Sequence, residues 1–301
     1  MNLKNTPGEA LRTYFNGTVF TFEIIGVFLL VFFVFTFKLL SIILKKQNNK
    51  LFLSVCFTMS TALAFFLPYA FASIISKTAI APFLNPMIVL FKSILIGFGK
   101  SGQDLTGLTG SMLTKGIPYI FAGQLIGGIL GFVAFLGFFY AIKRTYANKV
   151  DYELLQQTTI KSFFQTKSEL STLGFSIKEF IFITSLIIVM PLISMIDHGI
   201  YRIDMFGILL IELFVIWVIL FISSFLEYFS FHLFFPILDI VFKTVNFALL
   251  DKEVKKQELK GFLTELLKLL LVVIFSITIP IVIGFICILI KMQTGVVISL
   301  A

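Results

Sequence analysis

The stretch Phe83–Lys92, FLNPMIVLFK, sets an amide, Asn85, and a helix-starting proline, Pro86, inside apolar sequence. The other side chains able to do polar chemistry sit in similar company. Glu23, Gln124, Glu179, Glu212, Glu227, His232 and Asp239 each lie among aliphatic and aromatic residues. A buried amide donates and accepts hydrogen bonds, a carboxylate accepts them, and a neutral imidazole does one of each. Such groups orient and select a polar molecule. Breaking a bond takes more, and the sequence holds no HExxH, GxSxG, GxxxxGK[ST] or CxxC pattern. Its two histidines, His198 and His232, are too few for a multi-histidine metal centre. The expectation is a protein that is not an enzyme and carries no metal or cofactor. Cys56 and Cys287 both fall inside apolar runs and read as packing residues rather than as a disulfide.

The elements that must position these groups follow from composition. Of 301 residues, 58% are hydrophobic and 13% charged, and the mean hydropathy is +1.02. Soluble domains carry about 25% charge. Six apolar segments, 19–44, 51–75, 117–142, 178–197, 206–229 and 265–291, are long enough to cross a hydrocarbon core of about 30 Å. The chain is therefore expected to be a multi-pass integral membrane protein. The first run is too long for a signal-peptide core and no small-residue cleavage site follows it, so it reads as a retained helix. A net charge of +8 would suit nucleic acid, but the basic residues lie in the connections between apolar runs, as they do in membrane proteins. The 39 Phe alongside many Ile and Lys point to an AT-rich genome, and so to a bacterial cell membrane. They also mean that a Phe-rich stretch is not by itself an aromatic binding site.

Two apolar pieces, 86–98 and 236–250, are too short to span, and each begins at a proline, Pro86 or Pro236. The order span, span, half-helix, span then occurs twice. An odd number of spans per half reverses the second half, giving an inverted repeat over about 15–145 and 175–292. The divisions are 1–145, a polar connector at 146–176, and 177–301. The connector reads as a surface helix or as a segment lying on the membrane. Backbone at a half-helix start cannot face lipid, because unpaired N–H and C=O groups there cost several kcal/mol each. Two such starts entering from opposite faces would aim their positive ends at one central point, with Asn85 beside it.

These residues resemble the aquaporin and glycerol-facilitator (major intrinsic protein) family over nearly the whole chain. FEIIGVFLLVFF, Phe22–Phe33, is similar to that family's opening Glu-containing helix. ALAF, Ala62–Phe65, followed by Leu84-Asn85-Pro86, resembles its second helix and first Asn-Pro-Ala loop. PYIFAGQLIGGILG, Pro118–Gly131, resembles its third helix, with Gln124, Gly127 and Gly131 in register. HLFFPILDI, His232–Ile240, resembles the second loop, with Pro236 and Asp239 kept. The resemblance implies six spans and two re-entrant half-helices, with pore loops at Asn85, Pro86 and Met87 and at Phe235, Pro236 and Ile237. It implies a constriction at Phe65, Ser223, His232 and Leu238. It also implies that Glu23 and Glu179, with Gln124 and Asp239, brace the two loops. A passive channel for small neutral solutes is expected, passing glycerol-like polyols and water, as a homo-tetramer in the lipid bilayer.

Departures from the family pattern modify that expectation. Met87 and Ile237 stand at the alanine positions, Phe235 at the second asparagine and Leu238 at the constriction arginine. Leu238 removes a fixed positive charge, and His232 restores a donor whose charge would follow pH. Phe235 narrows the centre. Either a larger, less polar neutral solute such as a polyol is favoured, or the path is plugged and the protein does not conduct. A different class, an ion-coupled secondary transporter, would use Glu212 or Asp239 as carrier.

Several residues also have plain readings. Ser223 suits a small-residue helix contact, as do Gly127 and Gly131 together. Glu227 and Lys92 suit snorkelling to the interface, and Glu212 suits either that or a lysine partner. Finally, sixteen of the 24 Lys and Arg lie on the side of the connections after the first, third and fifth spans. The positive-inside rule puts that side in the cytoplasm, whereas the family topology puts it outside.

Overall fold

In hydrocarbon a chain satisfies its peptide groups within one segment or not at all, so long apolar runs become helices. The computed structural model describes residues 7–75, 82–99, 115–146, 153–164, 169–197 and 205–294. Six of its helices are long and apolar enough to cross a membrane: α2 (Gly17–Ile43), α3 (Lys50–Ile75), α5 (Ile117–Thr145), α8 (Thr172–Asp197), α9 (Met205–Ser223) and α11 (Lys252–Thr294). The shorter helices are α1 (Pro7–Arg12), α4 (Pro86–Gly99), α6 (Glu153–Gln157), α7 (Ile160–Phe164) and α10 (Phe234–Ala248). No strand occurs among the described residues. With 14 and 15 residues, α4 and α10 are about 21–23 Å long, short of a hydrocarbon core of about 30 Å.

Boundaries differ from the hydropathy reading where other forces act. Helix α10 starts at Phe234, two residues before Pro236. Proline is tolerated there because the first four N–H groups of a helix have no internal partner to lose. Helix α9 ends at Ser223 and continues as a 3-10 turn over Ser224–Leu226, short of residue 229; Glu227, at φ 67°, turns the chain away. Helix α8 begins at Thr172, ahead of residue 178. Helix α11 begins at Lys252, well ahead of residue 265, because its polar opening is rich in the good helix formers Lys, Glu, Gln and Leu.

The connector is built into the bundle rather than resting on it. Leu155 and Phe163 are buried, the Phe163 ring meets Phe35, Phe135 and Phe139, and Lys38 Nζ donates to the Phe163 carbonyl at 2.8 Å. Its residues 147–152 and 165–168, like His198, lie outside the described residues.

Helix α2 packs most intimately on α5. A Cβ at Gly127 would strike the Ile24 carbonyl, and one at Gly131 would come within 2.5 Å of the Phe28 carbonyl. Side-chain-free positions one turn apart therefore let the two backbones meet. Helix α11 packs on α4 and α8, and α9 on α3 and α8. One apolar core gathers around Val31, Phe35, Phe135 and Phe139, and another around Phe91, Ile183, Leu220 and Ile283.

Candidate functional site: the junction of two helix starts

Residues 82–85 lead into α4 and residues 227–233 lead into α10, and the two loops meet. Asn85 Oδ1 accepts from Met87 N–H at 3.0 Å, which caps α4, while its Nδ2 donates to the Phe231 carbonyl at 2.6 Å. His232 does the same from the other loop. Its Nδ1 accepts from Phe234 N–H at 3.0 Å, and its Nε2 lies 2.6 Å from the Leu84 carbonyl. A backbone N–H can only donate, so Nδ1 carries the lone pair and Nε2 the proton. Asn85 is 7% exposed and His232 1%, so both polar tips are sealed by these bonds.

Each loop is also held from behind by a buried carboxylate. Glu23, fully buried on α2, accepts from Phe83 N–H at 2.5 Å, Leu84 N–H at 3.3 Å and Gln124 Nε2 at 2.9 Å. Those bonds replace the water that a carboxylate loses on burial. Leu84 sits at φ 58°, in the left-handed region, which costs a non-glycine residue about 1–2 kcal/mol. It is fixed there from both sides, by Glu23 at its N–H and His232 at its carbonyl. Gly26 makes room, since a Cβ there would collide with the Leu84 side chain. Glu179 on α8 accepts from Ser230 N–H at 3.2 Å and pairs with Lys178 Nζ at 2.9 Å. Lys178 in turn donates to the Tyr228 carbonyl at 3.4 Å and lies 4.4 Å over the Phe175 ring.

The remaining sequence-derived candidates divide. The Phe235 ring lies 5.5 Å from Phe35, 5.6 Å from Phe231 and 5.9 Å from His232. Phe65, Phe231, Phe235 and Leu238 are all partly buried against the same apolar core. Pro86, Met87 and Pro236 are buried in the two helix starts, and Ile237 is partly buried. Ser223 is turned into its own helix, donating to the Leu220 carbonyl at 3.0 Å.

Two expectations change. His232, expected to restore a donor at a constriction, is instead 1% exposed and joins the two loops through both ring nitrogens, with α10 beginning two residues after it. Asp239 pairs with Lys243 at 3.2 Å rather than with a loop N–H. Lys243 also meets Glu265 at 3.1 Å, and Glu265 meets Lys268 at 2.9 Å, so Asp239 belongs to an ionic chain between α10 and α11.

Glu227 Oε1 accepts from Glu169 N–H at 2.6 Å, tying the second loop to the connector. Lys92 on α4 and Glu212 on α9 lie within electrostatic reach of each other. The sequence pointed to neither the Glu227 bond nor the ionic chain, whose members sit on separate elements.

No family model, no curated protein and no solved structure matches the chain.

Proposed function

We propose that the chain is a passive membrane channel for small uncharged solutes, with the aquaporin-like arrangement that its sequence resembles. In this reading α4 and α10 are half-helices entering from opposite faces, and the two halves of the chain form an inverted repeat. The observation that carries it is the reciprocal pair of cross-loop hydrogen bonds, Asn85 to Phe231 and His232 to Leu84. Two helix N-termini held tip to tip concentrate positive potential at one point, which repels cations and admits neutral molecules. Phe65, Phe231, Phe235 and Leu238, packed against one apolar core, are among the side chains left partly exposed, together with Tyr228 and Ser230 of the second loop. Apolar walls favour a solute with a carbon skeleton, such as a glycerol-like polyol, over water in single file. Many apolar side chains on the outer faces of the long helices are exposed, as lipid contact or assembly into a homo-oligomer, a tetramer by resemblance, would require.

Stopped-flow light scattering on proteoliposomes tests this. Glycerol permeability well above that of empty vesicles is expected, insensitive to an uncoupler. Glycerol and water fluxes equal to those of empty vesicles would overturn it, and flux abolished by an uncoupler and by Glu212→Gln would mark an ion-coupled transporter instead.

A second reading, a non-conducting relative, is favoured by the ring contacts of Phe235 with Phe35 and Phe231, which crowd the junction. Absence of flux in both the wild type and Phe235→Ala would select it.

A further inference from the structure

We infer that His232 is the second-loop counterpart of Asn85, a positioning residue that joins the two helix starts through a permanently neutral, Nε2-protonated imidazole. Alignment on the prolines gives that place to Phe235, which has no polar atom to offer. The geometry gives it to His232. Asn85 accepts from the N–H two residues ahead at 3.0 Å and donates to the opposite loop at 2.6 Å, and His232 repeats both distances. The carbonyls reached are those immediately preceding the opposite residue, Phe231 before His232 and Leu84 before Asn85. The carboxylates follow the same register. Glu23 bonds the N–H two residues before Asn85, and Glu179 the N–H two residues before His232. The tripeptide His232-Leu233-Phe234 thus stands where Asn85-Pro86-Met87 stands in the first loop.

The consequence is chemical. A second proton on the ring would have to sit on Nδ1. That would take away the acceptor of Phe234 N–H and place a buried cation at the positive end of α10. Among the described residues, the charged side chains bonded to these loops are Glu23 from α2 and Glu179 with Lys178 from α8, while Glu227, within the second loop, accepts from Glu169 N–H of the connector. Each is already committed to a backbone N–H or an ion pair. His232 is therefore a structural amide surrogate and not a pH sensor, and an asparagine at 232 should do its work.

The inference rests on the channel reading only for its flux arm. Solid-state NMR of the full chain in liposomes, labelled with 15N-histidine, reads the ring directly, with His232→Asn assigning the signal against His198. A protonated Nε2 and an unprotonated Nδ1 are expected, unchanged from about pH 8 to about pH 5. A proton on Nδ1, or titration inside that window, overturns the inference whether or not the protein conducts. In proteoliposomes, glycerol flux should fall about tenfold or more in His232→Ala and be kept in His232→Asn. Equal loss in both variants overturns it as well. Wild-type protein that conducts nothing while showing the expected ring signature refutes the channel and leaves the positioning role standing.

Discussion

Glu23→Gln is the most revealing single change. The glutamine keeps the length and shape of the side chain. It replaces one acceptor oxygen by an NH2 group that faces donors. Glu23 accepts three N–H bonds, from Phe83, Leu84 and Gln124, in a site with no exposed surface. The remaining oxygen can satisfy the donors on its own side, and the others are left buried without an acceptor. A hydrogen bond to a charged group contributes about 1.5–3 kcal/mol, and a stranded buried donor costs about 1–3 kcal/mol. Losing one or two of the three bonds should therefore destabilise the 82–85 loop by about 2–4 kcal/mol, a factor of roughly 30 to 1,000 in its opening equilibrium.

Amide hydrogen exchange of the detergent-solubilised protein, read on a peptide covering residues 82–91, measures that factor. Exchange at Phe83 and Leu84 should accelerate accordingly, while the middle of α5 stays protected. Gln124→Ala removes one of the three bonds and should give a smaller acceleration at the same amides. Unchanged exchange at Phe83 and Leu84 in Glu23→Gln would refute the claim that this carboxylate holds the loop.

Other perturbations have distinct signatures. Glu179→Ala leaves the buried Lys178 without its carboxylate, holding only the Tyr228 carbonyl and the Phe175 ring, which costs about 3–5 kcal/mol, so little folded protein should survive size-exclusion chromatography. Asp239→Asn acts on a partly exposed pair and should lower stability by no more than about 1 kcal/mol, read as a small shift in thermal melting. Gly127→Leu drives a side chain into the Ile24 carbonyl and should prevent α2 and α5 from packing, read as aggregation or a collapsed melting transition. Phe235→Ala removes the ring between Phe35 and Phe231 and should raise glycerol flux in proteoliposomes; a lower flux from folded protein would place the path elsewhere.

The six long helices were legible because hydrocarbon leaves an apolar segment no other way to pair its peptide groups. The shortness of the two proline-led pieces was legible for the same reason. The register of the second loop was not. Pro86 opens α4, whereas Pro236 is the third residue of α10, so lining up the prolines sets Phe235 rather than His232 against Asn85. Hydropathy also stops where polarity begins. It missed that Lys252–Thr264 is helical, since Lys and Glu favour helix without being apolar. It took the connector for a polar surface segment although Leu155 and Phe163 supply core. The chain of Asp239, Lys243, Glu265 and Lys268 joins residues across the α10–α11 turn, where sequence distance conceals proximity.

Helix α11 has a consequence for sidedness. Its 43 residues make a rod of about 65 Å, longer than the roughly 40–45 Å from headgroup to headgroup. Its opening turns, with Lys252, Lys255, Lys256 and Lys260, must stand clear of the lipid on one side only. The native thiols of Cys56 and Cys287 are buried and free, so they stay silent to an impermeant maleimide. A cysteine introduced at Lys255 is then a flag on a mast. Whether intact cells or only inverted vesicles take up the label tells which way the protein faces, and so decides between the lysine distribution and the orientation expected by resemblance.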